Sequence, residues 1–317
     1  MNNSIGFDDR IFNFFINLAK EIVKQRKADK SGGKAATKRN DLVQLLMDAY
    51  VYESDLKDNN YEKLTASADH DEVEAKETIT VNGNGQAPNN SVKRTLDEKE
   101  IIAQCLIFFI AGFETTATTL SMAAYFLALN PEVQERLYDE LTEALDGLEV
   151  NSAEYFEKVN SNQIPYLDAV IKETLRRNPP VARLQRRVGV DNYKLAGIPL
   201  EKDIEVQIPT FGIHHNSKFW PDPDRFDPER FMPENKDSII PYTYLPFGAG
   251  PRNCIGMRFA YQEMKLCLAQ IARKFRFERT AKTQVPLKID SLALISSKDI
   301  QLRVLETVLA CASPTRR

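Results

Sequence analysis

The eleven residues Pro246–Gly256, PFGAGPRNCIG, constrain this chain more than any other stretch. With three glycines and two prolines the run can propagate neither a helix nor a central strand, so it must be a loop. It leads directly into an amphipathic pattern, Ile255–Phe275, that predicts a helix. Cys254 therefore stands at a helix N-terminus, where unpaired backbone N–H groups and the macrodipole favour a thiolate over a thiol. Gly248, Gly250 and Gly256 let the backbone turn tightly and approach a large flat ligand. Arg252, two residues before the sulfur, can hold an anion beside it, and Phe247 can shield the sulfur from water. The competing reading is an ordinary buried cysteine, the commonest fate of an isolated one. Against it, five fixed residues at these spacings arise by chance in roughly one chain in ten thousand or fewer. Cys105 and Cys267 have no such context and read as helix core residues, and Cys311 reads as a tail residue.

The rest of the chain predicts a helix-dominated protein with a minor β component. Residues 1–28 and 40–52 read as two helices, the second capped by Asp41 with Leu42, Leu45, Leu46 and Ala49 on its inner face. Residues 53–96 form a polar insert with the composition of a disordered segment or long loop. Over 53–100, twelve acids and six bases give −6. The net charge of the whole chain is −3, so the remainder carries +3. No global basic field favours nucleic acid. A long apolar helix follows over 97–130, with one charge, Glu114, after residue 100. Its uncharged run Ile101–Phe113 is too short to span a bilayer, which predicts a buried core helix. Further helices are expected over Pro131–Gly147, 164–177 and 255–276, with short strands in 182–210. The proline- and aromatic-rich stretch 216–253 reads as an ordered meander. A closing hairpin is expected from Leu287–Leu294 and Ile300–Leu305. The segments expected are thus 1–52, 53–96, a module over 97–308, and a tail over 309–317.

A shielded thiolate fed by N–H donors is a suitable axial ligand for haem iron. Three further motifs stand upstream of the loop: AGFETT at Ala111–Thr116, ETLR at Glu173–Arg176 and FDPERF at Phe226–Phe231. In this order, with the cysteine loop, they resemble the motifs of the cytochrome P-450 family, the haem-thiolate monooxygenases. Residues 101–116 and 212–231 look most like insect microsomal members that handle foreign compounds. The resemblance implies the C-terminal portion of the cytochrome P-450 fold, mainly α with minor β, carrying haem b on Cys254. It implies insertion of one oxygen atom from O2 into an apolar organic substrate, with electrons from NADPH through an NADPH-cytochrome reductase. It places the enzyme at the cytosolic face of the endoplasmic reticulum membrane.

The resemblance also implies roles for single residues. Gly112 and Thr115 share a face of the long helix, with Thr115 and Glu114 serving oxygen activation and proton delivery. The alternatives are a threonine bonded back to its helix and a glutamate facing solvent. Glu173, Arg176 and Arg230 would form a buried network that positions the cysteine loop, the alternative being a surface ion pair. Arg252, with His214 and Arg187, would bind the haem propionates, although His214–His215 also reads as a turn or surface pair. Phe247, Gly248, Gly250 and Gly256 would line the cofactor. Phe108, Phe113, Val181, Leu184 and Leu294 would touch substrate. Arg258 and Lys265 would meet the reductase or form the solvated face of the last helix. The family's N-terminal anchor and Trp-x-x-x-Arg motif have no counterpart in these residues, so the chain reads as the haem-binding part of a longer enzyme. The other readings are an inactive fragment of such an enzyme and a non-enzymatic helical binding domain.

Overall fold

The computed structural model describes residues 9–31, 41–52, 93–289, 294–297 and 299–307. They fall into two compact units that divide between Phe113 and Glu114.

The first unit holds α1 (Asp9–Ser31), α2 (Leu42–Asp48), β1 (Tyr50–Tyr52), β2 (Lys93–Thr95) and the start of α3 (Glu98–Leu129). Ala19 and Val23 lie four apart on α1 and are buried in one cluster with Ile101, Ile102 and Cys105 of α3. A capping box opens α3: the Asp97 carboxylate accepts from the Glu100 N–H at 2.8 Å, and the Glu100 carboxylate accepts from the Asp97 N–H at 2.8 Å. Asp41 caps α2 by accepting from the Gln44 N–H at 3.0 Å, and pairs with Arg26. The inner face of α2 differs from the expected one. Val43, Leu46 and Met47 pack on the cluster, while Leu45 is 67% exposed. The helix is only seven residues long, because Tyr50–Tyr52 leaves it to pair antiparallel with Lys93–Thr95. The polar insert expected over 53–96 and the tail over 309–317, with Cys311, lie outside the described residues except for 93–96.

The second unit continues with α4 (Pro131–Ala144), α5 (Ala153–Asn160), α6 (Pro165–Arg177), β3 (Leu184–Arg187), β4 (Tyr193–Leu195), β5 (Ile198–Leu200), β6 (Glu205–Ile208) and α7 (Thr210–His214). A meander with 3-10 turns at Pro228–Phe231, Pro233–Ser238 and Gly250–Arg252 leads to α8 (Met257–Lys274), β7 (Phe275–Arg279) and β8 (Leu302–Glu306). Three antiparallel pairs form: β3 with β6, β4 with β5, and β7 with β8.

The core follows from helical spacing. Val133, Leu137 and Leu141 form one buried stripe on α4, and Met264, Leu268 and Ala272 another on α8. Each large apolar side chain so buried contributes about 1.5–3 kcal/mol. Helix α6 is buried on nearly all faces, through Leu167, Val170, Ile171 and Leu175 among others, and is the central element. Its first turn is capped from outside: the Glu140 carboxylate of α4 accepts from the N–H groups of Tyr166 at 3.1 and 3.0 Å and Leu167 at 3.2 Å. Lys265 of α8 pairs with Asp168 of α6 at 2.7 Å and is buried, so it is not a free surface cation for a redox partner.

Three sequence expectations change. Helix α5 was not expected; Ser152 caps it by accepting from the Tyr155 N–H at 3.1 Å, and its two turns offer too few positions for a periodic signal. The strand expected over Ile300–Leu305 forms as Leu302–Glu306 and pairs with Phe275–Arg279, while residues 290–293 of its expected partner lie outside the described residues. Phe275 turns extended at φ −133°, ψ 149° directly after the helix, so the strand follows with no turn between them. Helix α3 is long and apolar enough to cross a membrane, yet it is not uniformly buried. Ile101, Ile102 and Cys105 are buried near its start and Met122, Ala123 and Tyr125–Ala128 near its end, while Ile107 and Phe113 are exposed.

Candidate functional site

Helix α6 carries Glu173 and Arg176 one turn apart, both with fully buried side chains. The ion pair is bidentate: Arg176 donates from Nε to Oε2 at 2.7 Å and from Nη2 to Oε1 at 2.8 Å. The guanidinium then reaches out of its helix. Nη1 donates to the His214 carbonyl at 2.7 Å, and Nη2 donates to the carbonyls of Pro223 at 2.9 Å and Arg225 at 3.3 Å. Glu173 Oε1 also accepts from the Asp227 N–H at 2.9 Å and lies 3.8 Å from Arg230 Nε. Glu173, Arg176 and Arg230 thus lie together, although Arg230 Nε makes no hydrogen bond among the described residues, and Arg176 lies over the Trp220 ring at 5.4 Å. Burial pushes the Glu173 pKa up, against the opposing pull of Arg176.

His214 is placed differently from expectation. It is fully buried, and both ring nitrogens are used internally. Nε2 accepts from the Leu245 N–H at 2.8 Å, which leaves Nδ1–H to donate to the Arg176 carbonyl at 3.2 Å. No ring nitrogen remains for a propionate. Burial drives its pKa down to about 3, so the ring is neutral at physiological pH. Its role is to tie α6 to the residue before Pro246, where the cysteine loop begins. Trp220 and Tyr244 belong to the same assembly: Trp220 Nε1 donates to the Thr243 carbonyl at 3.3 Å and Tyr244 Oη donates to the Lys172 carbonyl at 3.1 Å. Sequence reasoning assigned neither a role; the density of aromatics and prolines in 216–253 was the available signal.

The cysteine loop closes on itself through the Cys254 N–H, which donates to the Phe247 carbonyl at 2.8 Å. Gly248 and Gly250 hold φ of +75° and +73°, conformations that favour glycine. A Cβ on Gly248 would also meet Leu184 Cδ1 at 3.6 Å, which places β3 against the loop. A Cβ on Gly256 would lie 3.9 Å from the Cys254 sulfur. Cys254 is a free, exposed cysteine. Phe247 does not seal it; its ring packs on Tyr261 of α8 at 5.2 Å. Arg252 and Arg187 are exposed, and Arg187 stands opposite Glu205 in the β3–β6 register. Strand alternation puts Leu184 and Arg186 on one face and Gln185 and Arg187 on the other.

On α3, Glu114 is exposed, Thr115 is half-buried and Thr116 is buried. The Thr119 hydroxyl donates to the Thr115 carbonyl at 2.9 Å. Gly112 has open space where a Cβ would stand. Of the expected substrate contacts, Phe108, Val181, Leu184 and Leu294 are half-buried and Phe113 is 78% exposed.

A helix-rich fold whose glycine loop holds one unpaired thiol outward suits a protein that ligates a metal-bearing planar cofactor through sulfur. Among the described residues no group of three or more His, Cys, Asp or Glu side chains could hold a metal alone. A metal on Cys254 must bring its other ligands with it. The sequence model of the Cytochrome P450 family matches residues 75–304, and the chain belongs to that family. Its cofactor is haem b, and the lone soft donor with the glycines beside it fits that group.

Among its relatives, Cytochrome P450 3A2 of Rattus norvegicus is 43% identical over 228 residues, 72% of this chain and 44% of the relative. Cytochrome P450 3A12 of Canis lupus familiaris is 43% identical over 67% of this chain and 41% of its own length. Cytochrome P450 3A41 of Mus musculus is 40% identical over 71% of this chain and 44% of its own length. The chain thus spans less than half the length of these relatives.

Proposed function

We propose that the chain forms the haem-binding part of a monooxygenase that inserts one oxygen atom of O2 into an apolar organic substrate, including foreign compounds. Haem, when bound, supplies the activation of dioxygen. The observation that supports this reading is the exposed Cys254 thiol, presented by a loop whose base is tied through Leu245 and His214 to the buried Arg176. In this reading the Cys254 sulfur would ligate iron and Arg252 would receive a carboxylate, with Arg186, on the Leu184 face of β3, in the place expected for Arg187. Gly248, Gly250 and Gly256 would leave room for the cofactor beside the loop. Glu114 takes up protons from solvent, and the Thr115 hydroxyl holds one toward the oxygen, with Gly112 keeping their helix face clear. Phe108, Phe113, Val181, Leu184 and Leu294 supply apolar contacts. An NADPH-cytochrome reductase provides electrons at the endoplasmic reticulum membrane, on its cytosolic face.

The test is spectroscopic. The chain is loaded with haem, reduced and exposed to carbon monoxide. A strongly red-shifted Soret band is expected, and Cys254→Ser should abolish it. Failure to take up haem, or an unchanged band in the serine variant, refutes the assignment.

A further inference from the structure

At the C-terminal end of α8, a cleft of about 420 Å³ opens between α4, α5 and the β7–β8 pair. It carries two buried hydroxyls, Tyr155 Oη and Thr307 Oγ1, neither of which has a hydrogen-bond partner among the described residues. Tyr155 is only 1% exposed. Buried hydroxyls are nearly always satisfied, so two orphans lining one cleft point to a bound partner. We propose that this cleft binds a small amphipathic carboxylate, an aryl or short alkyl acid.

The chemistry of the walls selects that class. Burial pushes the Tyr155 pKa up, so the phenol stays a donor at neutral pH. Arg273 opposes that shift by its charge and by a side-chain contact with the hydroxyl, which sets its guanidinium beside it. Tyr155, Thr307 and Arg273 together offer donors to the lone pairs of one carboxylate. Lys274 adds a second positive charge and Glu306 one negative charge, so the lining is net positive. The C-terminal dipole of α8 opposes an anion, and Arg273 and Lys274 in its last turn offset it. Leu148, Val150, Tyr138 and Phe275 supply an apolar wall that a hydrocarbon or aryl body would cover and that a bare inorganic anion would leave unused. Cys254 lies beyond the other end of α8, about 24 Å away along the helix, so this site does not depend on the monooxygenase reading.

The experiment titrates the full haem-loaded chain, with leucine and valine methyls labelled, using 4-phenylbutanoate and its neutral amide. The acid should shift the methyl resonances of Leu148 and Val150 with a Kd below about 1 mM. The amide should bind about tenfold more weakly, as should the acid to Tyr155→Phe or Arg273→Gln. No saturable shift, shifts confined to methyls near the cysteine loop such as Leu184, equal binding of acid and amide, or binding unchanged in both variants would each overturn the proposal.

Discussion

Lowering the pH from about 7.5 to about 5 should destabilise the second unit through His214. The ring titrates at 6.5 in its ordinary state and at about 3 when folded, because burial excludes the charged form. A depressed folded value means that the unfolded chain takes up a proton which the folded chain refuses. Stability is therefore intact above 6.5 and falls as the pH drops from there toward 3. At about pH 5 the loss is ~2 kcal/mol, from about 1.5 pH units at 1.36 kcal/mol each. The structural reason is specific: protonation would turn Nε2 into a donor facing the Leu245 N–H. Urea unfolding followed through Trp220, the one tryptophan, reads the loss within the assembly itself. His214→Gln should remove about 2 kcal/mol of the pH dependence, whereas His215→Gln should leave most of it. His215 is also lowered by burial and acts with the same sign, while Glu140 and Glu173, both raised by burial, act with the opposite sign. Those carboxylates are common to wild type and variants, so the difference isolates His214. An unchanged pH profile in His214→Gln would show that the ring does not carry the effect.

Other outcomes follow from the same contacts. Glu173→Ala leaves a buried guanidinium without its counter-ion and should cost about 3–5 kcal/mol, with loss of haem from the purified chain; normal haem content in this variant would sink the positioning role. Glu140→Ala removes the acceptor for the Tyr166 and Leu167 N–H groups and should cost about 1–2 kcal/mol in urea unfolding, with Glu140→Gln recovering part of it. Gly248→Ala forces a side chain into φ +75° and should cost about 1–2 kcal/mol while weakening haem retention; a haem off-rate equal to wild type would count against the loop geometry.

How much of this could be read in the sequence depends on how local each cause is. The cysteine loop was legible because its glycines answer to their own φ values and its helix begins within three residues. Glu173 and Arg176 were legible as a pair because they lie one turn apart, but their complete burial came only from the family resemblance. His214 was misread as a propionate ligand because its two partners are backbone groups 38 and 31 residues away, which leave no side-chain pattern. Glu140 escaped for a similar reason: a carboxylate that caps a neighbouring helix looks like any surface acid on its own. The register of β8 was missed because its partner follows α8 directly, without a turn residue between them. Lys265 looked like a solvated cation until Asp168, 97 positions earlier in the chain, took it inside.

The Glu173–Arg176 pair is not there to raise stability. Burial moves the Glu173 pKa up even with Arg176 in place, so the pair does not fully offset the cost of desolvating the carboxylate. What it provides is direction. Only a guanidinium has a planar fork of five donors, and here that fork joins Glu173 to the carbonyls of His214, Pro223 and Arg225 at once. The His214 carbonyl ends α7, where no intrahelical partner remains, and the other two lie in the meander, where backbone groups would otherwise lack partners. The result is that α6, the most buried helix, sets the path of the meander, and His214 passes that path to Leu245 and the cysteine loop. Cys254 is exposed, and an exposed loop rich in glycine cannot hold its own position. Its rigidity must come from the interior, and the costly charges are where it originates.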